Sequence, residues 1–237
     1  MCDIATARAR GSGAASDGSA GAGHEARLAR LRGLYAIVGD DDPVAHAGAV
    51  IAGGAGVVQV RMKRSPAGDV LEAARRIVEL ARGRALVVLN DRADLALLAG
   101  ADGVHVGDED LPPAEVRRLV GDTLLVGRTC RTLADARAAL AQGADHVGYG
   151  PIFASRSKPL GVEPLGLAAL REVAAGLGAP VVAISGITLE TVGEVAAAGA
   201  AAAAVIEDLF SHGDVRERAR RLAAGFEGRV RVREGQP

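Results

Sequence analysis

From Leu34 onward the chain alternates short runs of β-branched and aliphatic residues with longer stretches whose apolar positions recur at helical spacing. The runs are LYAIVG (34–39), VVQVR (57–61), ALVVLN (85–90), GVHVG (103–107), LLVGRT (124–129), HVGYG (146–150), PVVAISG (180–186) and AAAAVI (201–206). Several are apolar almost throughout, as parallel strands covered on both faces require. Helix-compatible segments such as Gly68–Arg82 and Leu133–Gln142 separate them. A weak repeat precedes alternate runs: GGAGVVQV, AGADGVHV, QGADHVGY and AGAAAAAV. Its glycines, Gly54, Gly100, Gly143 and Gly199, stand where a preceding helix would end in the left-handed conformation. Eight strand–helix units in about 200 residues predict an α/β fold, a (β/α)8 TIM barrel. A doubly wound open sheet is the main rival, but no Gly-x-Gly-x-x-Gly fingerprint follows the first run.

The pattern defines one domain, residues 33–226. Residues 1–32 are mostly Ala, Gly, Ser and Arg with few large apolar side chains, so a disordered tail is expected. Arg and Ser there could suit a transit peptide, but Asp3, Asp17 and Glu25 do not. Residues 227–237 read as a C-terminal tail.

Composition narrows the partners. With 28 basic and 29 acidic residues, nothing points to a polyanion. Three Phe, two Tyr and no Trp leave little on which bases could stack. Two cysteines, Cys2 and Cys130, form no disulfide framework, which suits a reducing compartment. No apolar stretch approaches the roughly 18 residues of a membrane span, and the N-terminus lacks a signal peptide's apolar segment. The expectation is a cytoplasmic protein acting on small molecules, without nucleic-acid or membrane partners; homo-oligomerisation is left open.

Candidate chemistry sits at the C-terminal ends of the strands, the active face of such a barrel. In Val57-Val58-Gln59-Val60-Arg61-Met62-Lys63, alternation sends Gln59, Arg61 and Lys63 one way and Val58, Val60 and Met62 the other. The apolar set should face the helices. The polar set then faces the barrel interior and mouth, where two converging cations call for an anion. Asn90-Asp91 and Asp110 end the next two runs. Each acid alone could be a helix-cap or loop residue. Together they would put two carboxylates on one rim, a donor set for Mg²⁺ shared with substrate phosphates. The loop Gly150–Pro159 adds Ser155, Ser157 and Lys158, and Ile184-Ser185-Gly186 precedes a helix expected near Thr188. Loops in that part of a barrel often bind phosphate. His105 and His146 read as core residues, since no His/Cys spacing suggests zinc, and Cys130 reads as packing.

The segments LYAIVGD, VQVRMK, LNDRADLALLAGADGVHVGDEDLP, VGRTCRT, GADHVGYGPIFASRSKP, PLGLAAL and PVVAISGI occur in order between Leu34 and about Leu209. Together they resemble the thiamine-phosphate synthase family. The resemblance implies a barrel that couples 4-amino-2-methyl-5-(diphosphooxymethyl)pyrimidine with a thiazole phosphate, giving thiamine phosphate and pyrophosphate. It implies that Gln59, Arg61, Lys63, Asn90 and Lys158 hold the pyrimidine diphosphate, with Arg61, Lys63 and Lys158 neutralising the departing pyrophosphate. Asp91 and Asp110 would ligate one Mg²⁺ per subunit, and Thr129 would stand near the pyrimidine. Ser155, Ser157, Gly186 and the backbone at Ile206-Glu207 would hold the thiazole phosphate. Three positions depart from the family pattern: Ser185 replaces a glycine, Glu207 a small residue, and Arg131 a common histidine. A related thiazole tautomerase would lack the aspartates and use a histidine at position 131. A non-catalytic binder of thiamine precursors is the alternative suggested by Ser185 and Glu207. A sugar-phosphate isomerase would leave Gln59-x-Arg61-x-Lys63 without a role.

Overall fold

All eight β-rich runs form strands: β1 (Gly33–Val38), β2 (Val57–Val60), β3 (Leu86–Asn90), β4 (Gly103–Val106), β5 (Leu125–Cys130), β6 (His146–Tyr149), β7 (Val181–Ala183) and β8 (Ala202–Val205). In this computed structural model, which describes residues 17–154 and 163–234, they pair in sequence order into a closed parallel barrel. The ring closes where Gly33–Ala36 of β1 pair with Ala202–Val205 of β8, leaving no edge strand. The helices are α1 (Asp17–Ala29), α2 (Pro43–Ala52), α3 (Ala67–Ala81), α4 (Ala93–Ala99), α5 (Pro113–Val120), α6 (Leu133–Ala141), α7 (Gly166–Gly176), α8 (Val192–Ala197), α9 (Glu207–Phe210) and α10 (Val215–Glu234). No described helix is long and apolar enough to cross a membrane.

Strand alternation divides the apolar residues into two cores. Val58, Val60 and Met62 belong to the outer one, between strands and helices. Val57 joins Tyr35, Leu86, Val88, Leu125, Val182, Ala202 and Ala204 in the inner one. Gln59, two residues after Val57, therefore points inward, as the alternation predicts. The repeat also has a physical basis. Gly54, Gly100, Gly143 and Gly199 take φ of 95°, 68°, 93° and 98°, where a side chain would be strained. The aspartates of its two GAD copies clamp the barrel floor. Asp102 accepts from Val87 N at 2.8 Å, and Asp145 from Val126 N at 2.7 Å.

The N-terminal segment departs from expectation. Composition predicts a structureless tail to residue 32, yet Asp17–Ala29 form α1; residues 1–16 lie outside the described residues. Few apolar groups are available, but two are well placed. Leu31, 2 % exposed, and Leu28 close the floor of the inner core. His24 adds contacts of 2.8 Å to Asp145 Oδ1 and 3.0 Å to Asp122 O. At the other end α10 runs to Glu234, beyond the limit at 226, and Leu222 and Phe226 are buried against the barrel. Gly53 permits this packing, since a Cβ there would lie 2.6 Å from both Ala219 Cβ and Arg216 O.

Candidate active site

The barrel mouth has two unlike halves. On the first, β2 carries Gln59 into the interior, where it is 4 % exposed and donates to Tyr35 Oη at 3.0 Å. Burial raises the Tyr35 hydroxyl far above its ordinary range, so it stays protonated and fixes the Gln59 amide. Arg61 follows, half-buried, and then Lys63, whose Nζ lies 3.0 Å from Asp91 Oδ2.

Asp91 is not a helix cap. α4 begins at Ala93 behind Arg92, with no side-chain cap bond, and Asp94 is its first-turn acid. Asp94 is paired with Arg92 at 2.8 and 2.5 Å. Asp91 itself sits at φ 64°, a left-handed conformation that costs a non-glycine residue about 1 kcal/mol or more. Its carboxyl is raised above the ordinary carboxylate range, first by partial burial, with Lys63 opposing and the adjoining Asp110 carboxyl adding to the rise. Asp110 reaches this point from the loop after β4, where its Oδ2 accepts from Gly107 N at 2.7 Å. Arg128 braces the same loop by donating to Gly107 O and, at 3.2 Å, to Asp108 Oδ1. Asp94, Asp102 and Asp108 thus have structural partners, while Asp91 and Asp110 confront each other beside a lysine.

Below them, Asn90 ends β3 in register with His105 of β4. His105 Nε2 lies 2.9 Å from Thr129 Oγ1 of β5, and its ring centroid is 5.8 Å from that of His146. Burial, then the neighbouring His146 and Arg128, pulls His105 down to about 3; burial pulls His146 down to about 4. Both rings are therefore neutral at ordinary pH. Cys130 is buried, and burial pushes its thiol up to about 12, so it acts as packing rather than as a nucleophile.

Among the described residues, the second half is made chiefly of backbone. After β7, Ser185 and Gly186 take φ of 72° and 68° in succession. A Cβ on Gly186 would lie 2.6 Å from Ala154 O and 2.7 Å from Phe153 Cβ. The segment after β6 is joined to this turn by Ile152 N–H donating to Ile184 O at 2.9 Å and Phe153 N–H to Ser185 O at 3.3 Å. The helix expected near Thr188 starts at Val192, because Thr188 N donates to Thr191 Oγ1 at 2.9 Å and the intervening residues form a turn. After β8, Ile206 is 45 % exposed and Glu207 opens the four-residue α9. Ser155, Ser157 and Lys158 lie outside the described residues.

Two partnerships escaped the sequence reading, Tyr35 with Gln59 and His105 with Thr129. Both join residues on neighbouring or near-neighbouring strands. Alternation could have placed each side chain inside the barrel, but not which of its interior neighbours it would meet.

The thiamine monophosphate synthase family model matches residues 34–209. A thiamine-phosphate synthase of Anaeromyxobacter dehalogenans is 65 % identical over 94 % of this chain and 99 % of its own. One from Myxococcus xanthus is 48 % identical over 78 % of this chain and 85 % of its own. Among solved structures, a thiamine phosphate pyrophosphorylase from Pyrococcus furiosus superposes with a TM-score of 0.79 at 31 % identity, covering 86 % of this chain and 99 % of the other.

Proposed function

The chain belongs to the thiamine monophosphate synthase family, and we propose that it is a transferase of thiamine biosynthesis acting at the mouth just described. It joins 4-amino-2-methyl-5-(diphosphooxymethyl)pyrimidine to a thiazole phosphate and releases pyrophosphate. The observation that carries this reading is the confrontation of Asp91 and Asp110 beside Lys63, at strand ends that also present Arg61 and Asn90. Two carboxylates forced together and partly desolvated are held there against their own repulsion, which a bound cation relieves.

The donor set suits Mg²⁺. Among the described residues no third His, Cys, Asp or Glu joins the pair, leaving other positions for water and phosphate oxygens. When bound, Mg²⁺ withdraws charge from the leaving diphosphate. This chain's own residues do the rest. Arg61 and Lys63 bind the diphosphate, Lys63 exchanging its contact with Asp91 for a phosphate oxygen. Gln59, locked by Tyr35, and Asn90 orient the substrate from below. Charge neutralisation lets the carbon–oxygen bond break toward a pyrimidine methyl cation, and the thiazole nitrogen captures it. Holding both substrates together at the mouth supplies orientation. Lys158 on the diphosphate, and Ser155, Ser157, Gly186 and the Ile206-Glu207 backbone on the thiazole phosphate, complete the proposal on the strength of the family resemblance. A buried, unpaired Cys130 suits the reducing cytoplasm.

The test is incubation of the full chain with both substrates and Mg²⁺, with pyrophosphate and thiamine phosphate measured together. Equimolar formation of the two products is expected. Tight binding of both substrates with no product would instead identify a non-catalytic binder.

A further inference from the structure

Thr129 and His105 form the only side-chain hydrogen bond described between β4 and β5, and the surroundings of the histidine are unusual. Nδ1 of His105 is inaccessible and unpartnered, so the ring's one polar contact is Nε2 to Thr129 Oγ1 at 2.9 Å. The ring is held in a slot made by missing side chains. A Cβ on Gly148 would lie 2.9 Å from His105 Cε1, and one on Gly127 would lie 2.5 Å from His105 Nδ1 and 2.3 Å from His146 Nε2. Glycine on the two successive strands β5 and β6 thus gives the His105 and His146 rings space inside a barrel whose interior is mainly aliphatic.

This arrangement determines which way the Thr129 hydroxyl can act. Of the two neutral tautomers, one has hydrogen on Nε2, donates to Thr129 Oγ1 and leaves a bare lone pair at Nδ1. The other would bury an N–H with no acceptor, the rarer kind of unsatisfied group. With Nε2–H donating, the threonine oxygen is occupied as an acceptor and its own hydrogen is free to point elsewhere. Thr129 is only partly buried, one residue from the end of β5.

We propose that His105 is a positioning residue: as the Nε2–H tautomer it makes Thr129 a hydrogen-bond donor toward the heteroaromatic ring at the barrel mouth. The site then selects a ring that presents an acceptor nitrogen to Thr129. This rests on the placement of the pyrimidine beside Thr129 in the reading above, and Gly127 and Gly148 belong to the same device.

Two measurements test it. In uniformly ¹⁵N-labelled wild-type protein near neutral pH, two-bond ¹H–¹⁵N correlations report the His105 tautomer without any substrate. Protonated Nε2 and bare Nδ1 are expected; the reverse overturns the proposal whatever the protein's activity. The second is a double-mutant cycle read as KM and kcat for each substrate, with folding checked by circular dichroism. His105→Leu should raise KM for the pyrimidine diphosphate about tenfold, the equivalent of one hydrogen bond, and leave KM for the thiazole phosphate within twofold. His105→Gln, which keeps a donor, should recover part of the loss, and in a Thr129→Val background His105→Leu should add nothing. Independent effects of the two substitutions, or equal rises in both KM values, would overturn it. Absence of turnover in the wild type with the expected tautomer would count against the synthase reading alone; the cycle is then read as pyrimidine diphosphate affinity by calorimetry, with the same expected and contrary outcomes.

Discussion

The two halves of the barrel mouth are built from different materials. The half formed by β2, β3 and β4 is made of side chains, namely Gln59 on Tyr35, Lys63 on Asp91, and Asp91 against Asp110. Among the described residues, the half formed after β6, β7 and β8 is made chiefly of main chain, with two successive residues at positive φ joined to the neighbouring segment by backbone hydrogen bonds. A site of side chains depends on residue identity and fails when a charge is removed. A site of backbone depends on conformation, so it tolerates many changes of identity and fails where a Cβ cannot fit.

The largest expected effect lies in the first half. Asp91→Asn keeps a residue tolerant of the left-handed conformation and an acceptor for Lys63, but removes one charge. Turnover should fall by about 10³-fold. The metal-free variant should nevertheless melt slightly higher than wild type at neutral pH. A carboxyl whose folded-state pKa is raised adds stability below its unfolded value and loses it as pH rises through the folded value, so ionised Asp91 weakens the empty protein. A lower melting temperature would show that Lys63 and Asp91 are a structural pair.

The next largest effect belongs to the second half. Gly186→Ala places a Cβ 2.6 Å from Ala154 O at a φ of 68°, so the turn must move. We expect a loss of about 2–3 kcal/mol in urea denaturation and a weakened thiazole phosphate KM with the pyrimidine diphosphate KM unchanged. Parallel changes in both would erase the division between halves. A smaller effect of opposite sign follows at the neighbouring position. Ser185→Gly removes a side chain from φ 72° and should stabilise the protein by about 1 kcal/mol, a gain visible as a higher urea midpoint. Glu207→Ser should be the mildest, since Glu207 is a half-buried residue at the start of a four-residue helix. It should tighten thiazole phosphate binding a few-fold and leave diphosphate affinity alone; calorimetry with each substrate separately decides.

The same contrast explains what could be read from sequence. The strands and their inward and outward faces are written in residue identity at period two, and the structure keeps them, with Gln59 buried inside and Lys63 beside Asp91. The repeat glycines were legible because only a few residue types end helices in that conformation. The turn after β7 was less so: a helix start near Thr188 fits the local sequence, but the Thr188–Thr191 contact delays it to Val192. Residues 17–32 differ from a structureless tail for another reason. Composition counts apolar residues over a window, whereas α1 is held by Leu28, Leu31 and His24 meeting a floor formed by distant strands. Likewise, that α4 starts behind Arg92 without a side-chain cap, leaving the Asp91 carboxyl beside Lys63, is a property of the fold and not of the sequence Asn-Asp-Arg.

The central claim is that Asp91 and Asp110 together hold the cation that the diphosphate needs. It is tested most directly by titrating Mg²⁺ into wild-type protein saturated with the pyrimidine diphosphate, alongside Asp91→Asn and Asp110→Asn. The account predicts one Mg²⁺ bound per chain in the wild type and little or none in either variant. Undiminished Mg²⁺ binding in both variants would contradict it.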